Sequence, residues 1–394
     1  MQRIYFDNSA TTCLDPKVLE AMRPYFDQWY GNASSLHSLG RESYNALDEA
    51  RRKTAKAIGA QAREIIFTSG GTESDNLAIQ GAAFANSSKG NHIITSTIEH
   101  HAVLNTCRFL EGQGFKVTYL AVDPHGKVDP ESLKKAMTKS TILVSIMTAN
   151  NEIGTIQDVR ELGGIAHDAG ALFHTDAVQS IGKVPLDVTR ENIDLLAMSA
   201  HKFHGPKGVG ALFVRKGTNL RPVVYGGGQE RGLRSSTENV PGIVGLGKAI
   251  ELSMAEMTES VEKMTSIRDR IIQGTLSSVD DCHLNGPLEG RLCNNANFRF
   301  DYIEGEALVL SLDLKGIAAS TGSACSSRDS ETSHVLKAIG VRNEHARGTL
   351  RVSLSRMNAM DEADEFLRVI PEVIARLRAI SPMSMLKKPS SPGG

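Results

Sequence analysis

The amino-acid sequence predicts an α/β protein with a mainly parallel β-sheet. Between residues 64 and 176, short apolar runs alternate with longer segments of helical character. This alternation is typical of strands joined by crossover helices, which produce parallel sheets whose ligands bind in the loops after the strands. The apolar runs cover residues 65–68, 92–96, 116–120, 142–147 and 172–175. Helices are predicted up to about residue 84, from residue 101, and over 129–137 and 159–169.

The N-terminal segment precedes this alternation. Residues 1–13 are short and extended, and Asp15-Pro16 predicts a helix start, with the aspartate as cap and the proline in the first turn. After a loop at residues 31–35, residues 40–58 carry a stripe of Ala and Leu among many charges, which predicts a second helix.

A lysine and two histidines lie between two further predicted strands. Residues 193–198 and 209–214 are apolar, and the segment between them holds His201, Lys202 and His204 before a Gly-Pro turn. Desolvation of Lys202 would favour its free amine, which attacks carbonyl groups. A solvated lysine on an exposed loop is the more frequent arrangement, and this stretch by itself favours it.

The C-terminal half predicts a second, smaller domain of α+β character. A long helix over residues 241–277 has no strand pattern beside it and is interpreted as the connection between the domains. Strands are predicted at 291–300 and 349–354, and helices at 304–314, 331–339 and 362–380. We expect a large domain over residues 14–257, a small domain formed by residues 1–13 and 258–380, and a flexible tail over 381–394.

The composition is ordinary for a globular protein. The chain is 40% hydrophobic and 23% charged with a net charge of -1, which argues against direct binding of nucleic acid. The N-terminus has no apolar signal core, and no apolar run is long enough to span a membrane. The five cysteines include no C-x-x-C pair, which disfavours a disulfide framework or a zinc site. We therefore expect a cytoplasmic protein without membrane contacts.

A glycine-rich turn after the first predicted parallel strand is a candidate phosphate site. Ser69, Gly70, Gly71 and Thr72 join that strand to a helix, whose N-terminus offers free N–H groups and the positive end of its dipole. An ordinary capped helix start fits about equally well. Neither a G-x-G-x-x-G sequence after a strand nor a P-loop occurs, which disfavours dinucleotides and nucleoside triphosphates.

Polar residues also follow two other predicted strands. His100 could act as an acid or base or stack on a ring, although a polar loop residue is more frequent. With His101 it has no third ligand at a spacing usual for a metal. Asp176 is costly at the end of a buried strand unless it meets a positive charge, such as a protonated heterocycle nitrogen. The alternative for Asp176 is a helix N-cap.

Two residues of the smaller domain are candidates for chemistry. Cys325 is surrounded by Gly, Ser and Ala, and such loops expose reactive thiols, although an incidental exposed thiol fits too. Arg351 alternates with apolar residues on a predicted strand, where its guanidinium would need an anion such as a substrate carboxylate. An ordinary salt bridge is the more frequent explanation for any single arginine.

Each of these residues has an ordinary structural explanation by itself, but together they form a recognisable set. A pyridoxal phosphate enzyme needs a lysine for the Schiff base, an acid beside the pyridinium nitrogen and a phosphate site. Lys202, Asp176 and the glycine-rich turn match those three needs.

Longer motifs resemble those of the NifS/IscS group of cysteine desulfurases, in the class-V aminotransferase superfamily. The resemblance extends from Asp7 to about Ile380. The matching motifs are Phe67-Thr68-Ser69-Gly70-Gly71-Thr72-Glu73-Ser74, Glu99-His100, Asn150-Asn151-Glu152-Ile153-Gly154, His174-Thr175-Asp176-Ala177-Val178-Gln179, Ser199-Ala200-His201-Lys202, Gly226-Gly227-Gly228-Gln229-Glu230-Arg231-Gly232 and Gly322-Ser323-Ala324-Cys325. The resemblance implies the type I fold of pyridoxal phosphate enzymes, with a seven-stranded sheet, and a homodimer with active sites near the interface.

The resemblance also implies a role for each matching residue. Lys202 would form the Schiff base with pyridoxal phosphate and later move the substrate Cα proton. His100 would stack on the ring and exchange protons, and Cys325 would be the nucleophile. Asp176 would pair with the pyridine nitrogen, and Arg351 would bind the substrate carboxylate. The other cofactor residues would be Gly71, Thr72, Ser199 and His201 at the phosphate, Gln179 at the ring hydroxyl, Asn151 beside the ring and the substrate, and Thr237 at the phosphate of the partner subunit.

The implied reaction converts L-cysteine into L-alanine and leaves a persulfide on Cys325. Its sulfur would pass to an iron–sulfur scaffold protein of the IscU/NifU type, with tRNA thiolation as a second pathway left open. No resident metal is implied, although Cys325 could transiently ligate an iron–sulfur cluster with a scaffold. The same-fold alternatives are a selenocysteine lyase and another class-V aminotransferase, which needs no thiol. A non-catalytic partner with this fold is disfavoured because it would have no use for Lys202, His100 and Cys325 together.

Three departures from the family pattern bear on these expectations. The family commonly has Ala where Gly71 stands, which we expect to be a minor change. The tail after Ser381 is shorter than that of housekeeping members, which leaves the sulfur acceptor open. Several residues separate Cys325 from the helix predicted at residue 331, which favours direct delivery of sulfur to scaffold proteins over dedicated shuttle proteins.

Overall fold

The computed structural model describes residues 3–322 and 332–382. Their strands are β1 (Ile4–Tyr5), β2 (Ile65–Thr68), β3 (His92–Ser96), β4 (Lys116–Leu120), β5 (Thr141–Ser145), β6 (Leu172–Asp176), β7 (Leu195–Ser199), β8 (Gly210–Val214), β9 (Cys282–Asn285), β10 (Asn295–Phe300), β11 (Ile317–Ala318) and β12 (Thr349–Ser353). Their α-helices are α1 (Pro16–Met22), α2 (Pro24–Asp27), α3 (Ser38–Ala57), α4 (Gly71–Ala85), α5 (His101–Gly112), α6 (Pro130–Ala136), α7 (Val159–Asp168), α8 (Val240–Ala255), α9 (Met257–Ser278), α10 (Gly305–Leu314), α11 (His334–Ala338), α12 (Asn343–Ala346) and α13 (Met360–Ile380). None of these helices combines the length and the apolar character needed to cross a membrane.

The larger sheet has seven strands in the order β2-β8-β7-β6-β5-β3-β4. The pairings from β7 to β4 are parallel, whereas β8 runs antiparallel to both of its neighbours. This confirms the predicted α/β fold with a mainly parallel seven-stranded sheet. Every residue of β2, β3, β5, β7 and β8 is buried. Burial on both faces explains why the sequence shows continuous apolar runs there rather than an alternation.

Successive side chains of the larger sheet enter two hydrophobic clusters. Ile65 and Phe67 of β2 belong to one cluster, together with residues of α1, α3, α7 and α8. Ile66, between them, belongs to a second cluster formed with α4 and α5. Because neighbouring strand residues point to opposite faces, helices cover the sheet on both sides. The loops at the carboxyl ends of the strands are therefore held between two packed layers.

A smaller antiparallel sheet has the strand order β12-β10-β9. Its hydrophobic cluster includes residues of α9, α10 and α13, and it also takes in Phe6 from the N-terminal segment. The Phe6 ring meets that of Phe366 edge to face with centroids 6.0 Å apart, and β1 pairs in parallel with β11. The N-terminal residues thus pack with the C-terminal part of the chain. The domain boundaries themselves stay predictions.

The prediction of a single long helix over residues 241–277 is wrong. The structure has two helices, α8 and α9, separated at Glu256, whose backbone leaves the helical region (φ -100°, ψ 6°). The helices pack in different places, since α8 lies against α3 and α9 against α13. One straight helix could not bury its apolar face against both partners, so the chain turns between them. Two further elements are shorter than predicted, with β10 beginning at Asn295 and α11 at His334.

Candidate active site

The candidate active site is a cavity of about 340 Å³ at the carboxyl ends of β2, β3, β5, β6 and β7. Ligands bind at this edge of parallel sheets because the loops after neighbouring strands converge there. The sequence-predicted residues that line it are Gly71, Thr72, His100, Asn151, Asp176, Gln179, Ser199, His201, Lys202 and Arg351. Since Arg351 belongs to β12, residues of both sheets form the cavity.

Two predicted site residues are not placed in this cavity. Cys325 lies outside the described residues. Thr237 is described but does not line the cavity. It follows Arg234, whose Nε lies 2.8 Å from Glu73 Oε1 on the first turn of α4. This ion pair holds the segment that carries Thr237 against the helix that starts at the glycine-rich turn, and the role of Thr237 toward a partner subunit stays a prediction.

Lys202 ends a short 3-10 turn, Ala200–Lys202, directly after β7. Its Nζ donates to the carbonyl oxygens of Ser9 at 2.5 Å and Ala10 at 2.7 Å. Burial lowers the pKa of Lys202 to about 8, and the charges of Arg351 and Lys183 act in the same direction. A lysine held in this way is not a solvated loop residue. An appreciable fraction of free amine is available near neutral pH, as the reactive interpretation requires.

Asp176 lies at the end of β6 and is almost completely buried. Its Oδ1 accepts the Val178 N–H at 2.9 Å. Burial raises the pKa of Asp176, while that hydrogen bond and the charge of Lys202 oppose the increase. A cation placed against this carboxylate would stabilise its ionised form, which is what a protonated ring nitrogen would do.

A second buried carboxylate, that of Asp75 on α4, lies close to Asp176. Its Oδ1 has no hydrogen-bond partner among the described residues, and it lies 3.5 Å from Nε2 of the buried His174. Burial raises the pKa of Asp75, and the charges of Asp176 and Glu99 raise it further. Neighbouring acids in a dry site compete for ionisation, so a proton on Asp75 favours the charged form of Asp176.

His100 caps the N-terminus of α5. Its Nδ1 accepts the Ala102 N–H at 3.1 Å, so the ring proton of the neutral form resides on Nε2. Burial, together with the charges of Lys202, His101 and His334, lowers the pKa of His100 to about 4. His100 is therefore neutral near pH 7. A neutral imidazole can stack on an aromatic ring and can donate the Nε2 proton.

The glycine-rich turn packs against the loop after β6. A Cβ built on Gly71 would lie 2.6 Å from Cγ2 of Val178. Val is branched at Cβ and has few alternative rotamers, so it cannot easily move away. Ala at position 71 of this chain would therefore require Val178 or the turn itself to shift, and the expectation that this departure from the family pattern is minor stays a prediction. Ser199, at the end of β7, also approaches Gly71, which places a hydroxyl-bearing residue beside the helix N-terminus.

Arg351 joins the two sheets at the floor of the cavity and is only 2% exposed. Its Nη2 donates to Asp7 Oδ1 at 2.8 Å, and its Nη1 donates to the carbonyl oxygens of Asn151 and Gly322. Its Nε has no partner among the described residues. The sequence left a salt bridge and a substrate carboxylate as alternatives for this residue. The structure shows the salt bridge, and the unpaired Nε leaves a donor for a further anion.

Comparison with known proteins assigns the family. Residues 4–366 match the model of the aminotransferase class-V family. The chain belongs to this family. It is 57% identical to the cysteine desulfurase IscS of Methanosarcina thermophila over 97% of this chain and 94% of that protein. It is 54% identical to the IscS of Dictyoglomus turgidum over 97% of each. A solved NifS-like protein superposes with a TM-score of 0.90 at 43% identity, covering 95% of this chain and 100% of that one.

Proteins of the class-V family depend on pyridoxal phosphate, and the cavity fits this cofactor. The buried Oε1 of Gln179 has no hydrogen-bond partner among the described residues, so it can accept from a ring hydroxyl. The first N–H groups of α4 have no acceptor within the helix and suit a phosphate. Lys202 and Asp176 are an amine and a carboxylate of the kind that the aldehyde and the ring nitrogen require.

The cavity also contains residues to which the sequence analysis assigned no role. Asp75, Glu152 and His334 line it, as does Ser9. Asp75 was detectable, because it lies three residues after Thr72 on the same face of one helix. His334 is distant in sequence from every motif, and no local pattern connects it to the site. Its Nε2 lies 2.9 Å from the Glu99 carbonyl oxygen, so only the packing of α11 against the loop after β3 brings it there.

Proposed function

We propose that this protein is a cysteine desulfurase, which converts L-cysteine and the thiol of Cys325 into L-alanine and a Cys325 persulfide. One observation carries this proposal. Lys202, Asp176, His100 and Arg351 converge on one cavity in a chain whose curated relatives are named cysteine desulfurases.

The residues of the cavity divide the proton chemistry between them. When bound, pyridoxal phosphate supplies an electron-withdrawing ring that weakens the bonds at the substrate Cα. Lys202 would hold the cofactor and, as a free amine, would carry the substrate Cα proton, which its lowered pKa supports. Asp176 would stabilise a positive ring nitrogen. His100, neutral and protonated on Nε2, would stack on the ring and exchange a proton with the substrate.

Arg351 binds the carboxylate of the substrate. Its guanidinium already lies on the cavity wall, and its Nε is an unused donor among the described residues. The substrate carboxylate competes there with Asp7, the present partner of Nη2. Asn151 lies next to the same guanidinium, because its carbonyl oxygen accepts from Nη1, and it contacts both substrate and cofactor in this proposal. A planar guanidinium fork suits a carboxylate better than an ammonium does.

Cys325 is the nucleophile for sulfur. Its thiolate attacks the substrate sulfur, an S–S bond forms and the Cβ–S bond breaks. The electron pair of the broken bond stays on Cβ, which takes up a proton and leaves as part of L-alanine. The carbon is reduced as the sulfur is oxidised to the persulfide level, so no external oxidant is needed. Gly322, three residues before Cys325 in the sequence, lines the cavity, and Ser333, eight residues after it, donates to Glu152 at 2.5 Å, which supports the assignment of Cys325 to this reaction.

A set of exposed apolar side chains supports a homodimer. These side chains lie on α2, on α3 and on the connection between them, and they are Phe26, Trp29, Tyr30, Leu36 and Tyr44. Exposed apolar patches of this kind mark interfaces. Tyr44 shares a surface groove with Arg231, which precedes Thr237 in the same segment. A second copy of the chain covers this face in the proposal, and Thr237 then reaches the phosphate of the partner's cofactor.

The remaining parts of the proposal concern domains, partners and location. The large domain comprises residues 14–257, and the small domain, which carries Cys325, comprises residues 1–13 and 258–380. The sulfur passes to an iron–sulfur scaffold protein in the cytoplasm. The names of the relatives support this assignment, since IscS proteins typically serve iron–sulfur cluster assembly.

The proposal is tested with purified protein supplied with pyridoxal phosphate and L-cysteine. We expect a visible band near ~420 nm from the lysine-bound cofactor, release of L-alanine, and a persulfide on Cys325 detectable by mass spectrometry. Cys325→Ala should keep the band and lose the persulfide and sulfide. Cys13→Ala, which removes an exposed thiol outside the cavity, is the matched control and should behave like the unchanged protein. Normal sulfide release by Cys325→Ala would show that Cys325 is not the nucleophile.

A further inference from the structure

A second lysine, Lys183, contacts the backbone of Lys202 and has no part in the proposed reaction. Lys183 follows β6 by seven residues and lines a small separate cavity of about 30 Å³. Its Nζ donates to the carbonyl oxygen of Gln179 at 3.2 Å and to that of Lys202 at 3.3 Å. One ammonium therefore connects the turn after β6 to the turn after β7, which are neighbouring parallel strands.

The surroundings of Lys183 contain no anion to balance its charge. Among residues 3–322 and 332–382, no carboxylate lies within salt-bridge distance of its Nζ. The groups that face it are the Cys293 thiol, the neutral His204 and, across the small cavity, Arg356. Burial lowers the pKa of Lys183 to about 8, so it is largely protonated at pH 7. Burying an ammonium without a carboxylate partner costs free energy, and here only the two hydrogen bonds to carbonyl oxygens offset that cost.

Lys183 Nζ lies 3.3 Å from the Lys202 carbonyl oxygen, and its positive charge lowers the pKa of the Lys202 amine. The groups that face the Lys202 amine are Arg351 from β12, Asp7 from the N-terminal segment, Asp176 from β6, and the neutral His100 and His201. Two of these carry a negative charge and favour the protonated amine. Lys183 and Arg351 oppose them. A lysine next to a second cation loses its proton more easily, which is a known way of activating an amine.

We propose that Lys183 is a positioning residue for Lys202, whose ammonium fixes the carbonyl oxygens of Lys202 and Gln179 and holds a second positive charge close to the Lys202 amine. This inference rests on the proposed role of Lys202 as cofactor anchor. In this proposal Lys183 has two effects. It holds the turns after β6 and β7 in fixed relative positions, and it makes protonation of the nitrogen that joins Lys202 to the cofactor less favourable.

The test is a pH titration of the visible band of the lysine-bound cofactor in the holoenzyme without substrate. Lys183→Met has a similar length and no charge, and we expect it to move the titration midpoint upward by about one pH unit. Lys183→Arg keeps the charge and should leave the midpoint close to that of the unchanged protein. Lys135→Met, which removes an exposed lysine from α6, is the matched control and should not move it. If Lys183→Met does not fold, Lys183→Gln carries the same expectation.

The outcomes separate this inference from the proposed function. If Lys183 had only a structural role, Lys183→Met would lower the melting temperature without moving the midpoint of the pH titration. That result would overturn this inference and leave the proposed function intact. A Lys202→Ala protein that keeps the lysine-bound band would overturn both the anchor role and the inference. An upward shift in Lys183→Met, with no shift in Lys183→Arg and no band in Lys202→Ala, supports both.

Discussion

Gly71 and Val178 face each other across the turn that is proposed to bind phosphate. A methyl group on Gly71 would meet Val178 Cγ2 at 2.6 Å, a distance that requires one of the two segments to shift. A shift of the glycine-rich turn would move the proposed phosphate site, and a shift of the loop after β6 would move Asp176 and Gln179. The identity of residue 71 is therefore tied to that of residue 178 in this chain.

We expect Gly71→Ala to weaken the binding of pyridoxal phosphate by roughly tenfold, because overpacking in a tight site costs about 1–3 kcal/mol. Adding Val178→Ala should restore most of the affinity by removing the methyl group that Gly71→Ala meets. The measurement is a cofactor titration of the apoprotein followed by absorbance. Gly112→Ala, where a Cβ meets nothing within 4 Å, is the control. Equal affinities for Gly71→Ala and the unchanged protein would contradict the steric argument, as would a double variant no better than Gly71→Ala.

Lys202 illustrates what a residue's neighbours in sequence cannot reveal. Its local sequence fits an exposed loop as well as a reactive site. The carbonyl oxygens that hold its Nζ belong to Ser9 and Ala10, more than 190 residues away. The charges that lower its pKa come from Arg351 and Lys183, on different elements. The reactivity of this lysine is thus a property of the packed chain.

At the level of elements, β2 is an edge strand that the chain covers with charged side chains. Glu230 accepts the Phe67 N–H at 2.9 Å and pairs with both terminal nitrogens of Arg51. Arg51 also donates to the Ile65 carbonyl oxygen and stacks 4.6 Å over the Phe67 ring. These contacts satisfy backbone groups that would otherwise be open to pairing with another chain. Glu230 and Arg231 have φ of 47° and 58°, so the pairing holds a segment in an uncommon backbone conformation.

Arg51 and Arg52 are adjacent on α3 and form a natural comparison. Arg51→Met leaves the carboxylate of Glu230, whose side chain is 4% exposed, without its cation, and we expect a loss of roughly 3–5 kcal/mol in the free energy of unfolding. Arg52→Met breaks exposed pairs with Asp48 and Glu49 and should cost at most about 1 kcal/mol. Urea unfolding of both variants, monitored by circular dichroism, measures the difference. Equal losses would show that the Glu230 pairing does not stabilise the edge.

At the level of the whole molecule, asparagines of the smaller sheet hold a loop of the larger one. Asn295 Nδ2 donates to the Glu152 carbonyl oxygen at 3.2 Å, and Asn297 Nδ2 donates to the same atom at 3.0 Å. Arg351 binds the neighbouring carbonyl oxygen of Asn151. The loop that places Asn151 and Glu152 in the cavity is thus fixed by β10 and β12. The substrate side of the site depends on how the two sheets are docked.

We expect Asn297→Ala to lower the free energy of unfolding by about 1–3 kcal/mol, because it leaves buried polar groups without a partner. The same change should lower kcat/KM for L-cysteine more than it lowers the affinity for pyridoxal phosphate, since most of the proposed cofactor contacts come from loops of the larger sheet. Calorimetry and steady-state kinetics measure the two effects. Asn91→Ala, an asparagine at the start of β3 far from this loop in sequence, is the control. An Asn297→Ala protein with unchanged kcat/KM would contradict the role of sheet docking.

The sequence by itself determined the local order of the larger domain. Strands buried on both faces are continuous apolar runs, and the turns after them carry the polar residues, so β2, β3, β5, β6 and β7 and their loops were predictable. The glycine-rich turn, His100, Asp176 and Lys202 were candidates for the same reason, whereas the other site residues in those loops were implied only by the resemblance to the NifS/IscS group. The break between α8 and α9 was not, because the sequence on both sides of Glu256 favours helix and only the two separate packing partners require the turn.

Only the tertiary structure determines which residues contact each other and which of them are charged. His334 joins the cavity only through packing, and Lys183 contacts the turn of Lys202 only because β6 and β7 are neighbours in the sheet. The clash between Gly71 and Val178 is equally invisible in the sequence. Apolar periodicity is a short-range property of the chain, whereas burial, contact and pKa depend on segments that are far apart in sequence and close in space.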